Sequence, residues 1–183
     1  MMALGFIFAG LLVVALVGLG AKASSSTAAV TSPADTAAAS GSGTAANVKT
    51  SVPGISAADA NQAIADAISQ YNVPADVFYG MFSKETTLGA NIATSSAGAV
   101  GPFQFEPATA GSYNYPLTNT PTLQDFQAQA NAAAHYLSDL YHQTGSWLHA
   151  LAAYNAGPGN IPAGLGYAAD ALSLGQALVG TGV

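Results

Sequence analysis

Glu85 is the residue of this chain whose type and position best suit acid–base chemistry. It follows Met81 by four positions and Phe82 by three, so on a helix it continues the apolar face drawn by Val77, Phe78, Met81 and Phe82. A carboxyl at the C-terminal end of such a face is expected to be partly buried. Desolvation and the negative end of the helix dipole then both disfavour its ionised form, which leaves a proton to donate near neutral pH. Delivering that proton to a leaving oxygen is general acid catalysis. Lys84 is adjacent in sequence but points about 100° away on a helix, which makes it a poor ion-pair partner for Glu85. The same spacing also describes an exposed glutamate at a helix end, the commoner case, and the spacing alone does not separate the two.

Other groups are less suggestive. His135, His142 and His149 recur every seven residues, which is two helical turns or about 10.5 Å, too far for shared metal ligation, and Gly145 breaks the register before the third. They read as surface histidines, and no metal or cofactor is expected. Trp147 reads as core. The chain has no cysteine, which excludes disulfides, thiolate metal sites, a thiol nucleophile and a lipidated N-terminal cysteine.

The elements that would carry Glu85 are helical. Ser56 is a good N-cap for a first helix with Ile64, Ala67, Ile68 and Tyr71 at helical spacing, ending near Asn72. Pro74 fits the first turn of a second helix, the one that carries Glu85. Gly89 to Gly101 reads as loop, Gln104 to Gly111 as a short helix, and Ser112 to Pro121 as loop again. Leu123, Phe126, Ala130, Ala133, Leu137 and Leu140 mark a long amphipathic helix that Gly145 stops. Trp147 to Tyr154 is apolar nearly all round, as a central buried helix would be, and Asn155 to Gly159 ends it. Tyr167 to Val179 is expected to add a last helix at the rim. No run alternates as a strand does, so the expected fold is an all-α domain over residues 53–183.

Ahead of that domain lie two segments of different composition. Residues 1–21 contain no charged side chain, and as a helix Met1 to Gly20 would span about 30 Å, one bilayer core. We read them as an uncleaved membrane anchor; a signal peptide cleaved at Ala21-Lys22-Ala23 is the alternative, lacking the basic residue expected before the apolar run. Residues 22–52 are mostly Ser, Thr, Ala and Gly, a flexible tether with a root-mean-square reach of about 30 Å. Only 3 of the 183 residues are Lys or Arg and the net charge is −6, which argues against nucleic acid as a partner. A surface this acidic also disfavours polyanions, though not neutral polymers bound by hydrogen bonds and apolar contacts.

Three segments, in order along the chain, change the weight given to Glu85. Tyr79-Gly80-Met81-Phe82-Ser83-Lys84-Glu85-Thr86, Gly98-Ala99-Val100-Gly101-Pro102-Phe103-Gln104-Phe105-Glu106-Pro107-Ala108-Thr109-Ala110, and Ala150-Leu151-Ala152-Ala153-Tyr154-Asn155-Ala156-Gly157 together resemble the catalytic motifs of lytic transglycosylases of the soluble type, glycoside hydrolase family 23, related to goose-type lysozyme. The second is similar to that family's Gly-Ala-x-Gly-Leu-Met-Gln-x-x-Pro-x-Thr-Ala, and the third to its Ala-Tyr-Asn-Ala-Gly. The resemblance spans Val73 to Ile161.

The resemblance implies a lysozyme-like fold with Glu85 as the single catalytic residue and peptidoglycan as substrate. It implies that Thr86, Gly101, Gln104, Tyr154 and Asn155 contact the glycan or shape its site, with Asn155 mainly holding the motif's geometry. Glu85 would protonate the oxygen between N-acetylmuramic acid and N-acetylglucosamine, then act as base while the C6 hydroxyl closes on C1 to form a 1,6-anhydro sugar. Departures are Thr86 for the usual serine, Pro102-Phe103 for Leu-Met, and Glu106 two residues after Gln104. Two other readings stand beside this one. One is a hydrolytic muramidase in which Glu106 or Asp125 activates water. The other is an inactive membrane-anchored peptidoglycan-binding or virion protein. An anchor, a tether and one catalytic unit suit local perforation of the wall by a domain held on the outer side of a bacterial membrane or on a phage virion membrane, in a bacteriophage particle or an envelope-spanning secretion machine.

Overall fold

The computed structural model describes residues 48–180, and the expected anchor at residues 1–21 and nearly all of the expected tether lie outside them. Among the described residues the fold is all-α, with a single antiparallel bridge between Val100 and Phe105, and no helix is long and apolar enough to cross a membrane.

Six helices follow in order: α1 Ala57–Tyr71, α2 Ala75–Thr86, α3 Pro107–Tyr113, α4 Leu123–Thr144, α5 Trp147–Ala156 and α6 Ile161–Gly180. Their ends follow local chemistry. The Ser56 hydroxyl accepts from the Asp59 amide to open α1, and Asn72, left-handed at φ 54°, closes it. Thr122 and Asp125 form a reciprocal capping box at the start of α4, and Gly145 at φ 70° ends it. The short helix begins at Pro107, three residues later than expected, because Gln104 at φ 50° belongs to a turn and not to a helix.

α1 packs on α4, α4 on α5, and α6 lies against both α2 and α5. The last helix therefore departs from the expected rim element: it starts at Ile161 and forms a main wall of the domain. Its closeness to α2 comes from glycines. A Cβ on Gly80 would fall 2.0 Å from the Ala171 carbonyl oxygen, and one on Gly175 would fall 1.8 Å from that of Asp76. These helices touch backbone to backbone, a spacing that only a missing side chain permits.

At the centre, Phe103 lies with its ring 4.8 Å from that of Phe82, 5.4 Å from Phe78 and 5.5 Å from Phe126. Each buried aromatic contributes roughly 1.5–3 kcal/mol. This cluster fixes the loop before α3 onto α2 and α4. The domain also begins earlier than composition indicates. Val48, Thr50 and Val52 are buried, the Asn61 amide donates to the Val48 carbonyl at 2.8 Å, and the Ser51 amide donates to the Leu88 carbonyl at 2.8 Å. Residues 48–52, assigned to the tether from sequence, are thus an extended strip of the folded unit.

Candidate active site

Glu85 stands half-buried in the last turn of α2. The helix ends at Thr87 and Leu88, both left-handed near φ 55°, and the Ser51 amide holds the Leu88 carbonyl, so the packed strip supports the turn that follows the carboxyl. Burial pushes the Glu85 pKa up to about 7, opposed by the hydrogen bond from Tyr167 and by the positive charge of Lys84. A carboxyl raised into that range keeps a proton to give near neutral pH and can take one back once ionised.

Tyr167 reaches Glu85 from α6, its hydroxyl donating to Oε1 at 2.5 Å. In the sequence only a helical position marks this tyrosine, since its partner is 82 residues away and the pairing depends on how α6 crosses α2. Its phenol stays neutral: burial, then the Glu85 charge, raise its pKa well above the usual value. The bond occupies Oε1 and leaves Oε2 as the proton-carrying oxygen.

Tyr154, from α5, donates its hydroxyl proton to the Phe103 carbonyl at 2.8 Å, which leaves the oxygen as an acceptor. Its own pKa is raised mainly by burial and next by the charge of Glu85, which puts the two groups in one site. Its ring lies 5.8 Å from that of Phe105 and 5.3 Å from that of Tyr136, and Phe105 in turn lies 5.0 Å from Tyr115, so a wall of aromatic rings extends from the carboxyl.

Gln104 sits at the tip of a tight turn that the Val100–Phe105 bridge closes. Both Nε2 hydrogens are engaged, at 3.0 Å to the Ala93 carbonyl and 2.9 Å to that of Gly101, and Oε1 keeps its acceptor capacity. The half-buried Asn155 side chain has no hydrogen-bond partner among the described residues. Its amide is open to a ligand.

Two residues expected to contact the glycan, Thr86 and Gly101, are turned into the protein. Thr86 is 1% exposed, and its hydroxyl donates to the Pro102 carbonyl at 2.7 Å while accepting from the Gly89 amide at 3.1 Å. It latches the end of α2 to the loop of Gln104 and has nothing left to offer a substrate. Gly101 is buried too; its amide donates to Asn119 Oδ1 at 2.8 Å, and its carbonyl takes the Gln104 bonds. At φ 86°, with Gln129 Oε1 and the Thr118 carbonyl each 3.1 Å from where a Cβ would stand, it makes the turn that aims Gln104.

The rival carboxylates separate. Asp125 is half-buried in its capping box, with its pKa lowered by Thr122, and is spent on the helix end. Glu106 acts on Tyr136, on the aromatic wall. His135 stacks on Tyr71 at 4.7 Å, and no group of three His, Asp or Glu among the described residues could hold a metal ion.

Residues 62–172 match the transglycosylase SLT domain, over half of the chain. The chain belongs to the transglycosylase SLT domain family. Among solved structures it is similar to an inactive mutant of the lytic transglycosylase Slt from Pseudomonas aeruginosa, at 20% identity over 64% of this chain with a TM-score of 0.46. It is also similar to the 70 kDa soluble lytic transglycosylase of Escherichia coli, at 22% identity over 65% of this chain with a TM-score of 0.45. The chain spans 22% of the length of each of these enzymes. The SLT domain matched here contains every residue of the site just described, from Glu85 on α2 to Tyr167 on α6.

Proposed function

We propose that this SLT domain is a peptidoglycan lytic transglycosylase that cleaves the bond between N-acetylmuramic acid and N-acetylglucosamine with Glu85 as acid and then base. The observation that carries the reading is a half-buried carboxyl at the end of α2, its pKa pushed up by burial and one of its oxygens hydrogen-bonded by Tyr167. In the first step Glu85 Oε2 gives its proton to the bridging oxygen as the bond from C1 breaks, and the departing sugar leaves as an alcohol. In the second step the carboxylate takes the proton of the C6 hydroxyl while O6 bonds to C1. The ring closes without water, and Glu85 is again protonated. The substrate supplies the nucleophile, so a second carboxylate is not required, in contrast to most glycosidases. Tyr154 and Gln104 present acceptor oxygens, and Asn155 a free amide, to sugar hydroxyl and N-acetyl groups.

The apolar segment at residues 1–21 and the Ser/Thr/Ala/Gly run after it support a site of action on the outer side of a bacterial membrane, against the wall. We place the activity in local perforation of that wall, as a phage particle or an envelope-spanning machine would need. Protease accessibility of the domain in intact bacterial cells tests the location.

The enzymatic reading is tested by release of soluble fragments from purified peptidoglycan. The full chain in detergent is expected to release them, and Glu85→Gln is expected to lower the rate by at least about 10²-fold, the scale of general acid catalysis. An intact chain that releases none favours the inactive binding protein.

A further inference from the structure

Lys84 is one of three basic residues in the chain, and its placement is specific. Its ammonium lies 3.0 Å from Asp170 Oδ2 and 5.6 Å from the centre of the Tyr167 ring. The same Tyr167 donates to Glu85. Carboxylate, cation, phenol and catalytic carboxyl thus form one continuous chain across the α2–α6 contact. Lys84 and Glu85 are neighbours on one helix, and Tyr167 and Asp170 are three apart on the other, so a single helix crossing sets all four groups.

We propose that Lys84 and Asp170 are positioning residues of the reaction: the pair seats Tyr167 on Glu85, and the balance of its two charges finely adjusts how readily that carboxyl releases its proton. The proposal rests on Glu85 being the catalytic acid. The groups that act on Glu85 are Lys84 on its own helix, Tyr167 on α6 and Tyr154 on α5, while Asp170 on α6 meets Lys84. Both phenols are held neutral by burial and by Glu85 itself. Lys84 is therefore the charged group that acts on Glu85 directly, and it favours the ionised form. Asp170 acts through Lys84, by holding it over the ring and offsetting its field. With side chains 26% and 66% exposed, the two charges are screened by solvent, so their influence is a fine adjustment and not a switch.

The sequence makes a direct test possible, because Glu85 and Glu106 are its only glutamates. Carbon-13 labelling of glutamate side chains gives two carboxyl signals, and the one missing in Glu85→Gln belongs to Glu85. In the full chain in detergent, Lys84→Met is expected to raise the midpoint of the Glu85 titration and Asp170→Asn to lower it, each by roughly 0.2–0.5 pH unit. Lys84→Arg is expected to restore the wild-type midpoint. The alkaline limb of peptidoglycan turnover is expected to move with each midpoint. A pair that served only to hold the helices together would lower the melting temperature and leave these midpoints in place. Midpoints that stay put, or that move the same way in Lys84→Met and Asp170→Asn, overturn the proposal. Absence of turnover in the wild-type chain defeats the reading of the reaction instead, and the titration reports on the pair in either case.

Discussion

Glu85 is a costly residue for this fold, and the cost has a pH signature. Its carboxyl holds a proton up to about pH 7 in the folded chain, whereas in the unfolded chain it ionises near the ordinary glutamate value. Between those two pH values the folded state binds more protons, so stability falls as pH rises through the window and levels off above it. The full effect is on the order of 3 kcal/mol. Glu85→Gln keeps an acceptor for Tyr167 and removes the burden. Its melting temperature is expected to exceed that of the wild type at pH 8 and to match it near pH 4, which a pair of thermal melts checks. Tyr167→Phe acts the other way on the proton: loss of a donor to the ionised carboxyl raises the pKa further. Its alkaline limb of turnover is expected to shift upward, with kcat roughly 10- to 100-fold lower, the scale of one hydrogen bond to a charged group.

At the scale of elements, the site depends on how closely α6 can approach α2. Gly175→Ala would drive a methyl group into the Asp76 carbonyl. The helices must then separate, at a cost of about 1–3 kcal/mol, seen as a fall in melting temperature of roughly 5–10 °C. Because Tyr167 rides on the same helix, turnover is expected to fall further than stability alone explains, whereas Gly166→Ala, on the open face of α6, is expected to change neither. This contact also marks the limit of what the sequence discloses. Helices α1, α4 and α5 were legible because Ser56, Asn72, Gly145 and the apolar spacings are local signals, whereas Glu85 stood out only through the motifs, its apolar spacing alone also describing an exposed glutamate. Gln104 and Tyr154 were legible through motif likeness. The Tyr167 bond was not, since no local pattern tells which helix a tyrosine will meet 82 residues away. Nor was the direction of the Thr86 hydroxyl, which turns into the protein although its neighbour Glu85 turns to the site.

Across the described residues, the site is joined to the packed strip at 48–52. Val48, Thr50 and Val52 alternate with exposed Lys49 and Ser51, a two-residue period that composition hid among Ser, Thr and Ala. Since this strip supports the turn after Glu85, a chain beginning at Pro53 is expected to lose roughly 3–6 kcal/mol relative to one beginning at Asn47, the burial of two valines, with activity falling as well. Chemical denaturation of the two checks this. The central claim is that one carboxyl, alternating between acid and base, suffices because the substrate closes on itself. Mass spectrometry of the chain ends released from peptidoglycan addresses it most directly. New muramic ends lighter by one water than hydrolytic ends and inert to borohydride are expected, all absent with Glu85→Gln. Ends that carry the added water and are reduced by borohydride would contradict it and make the enzyme a hydrolase.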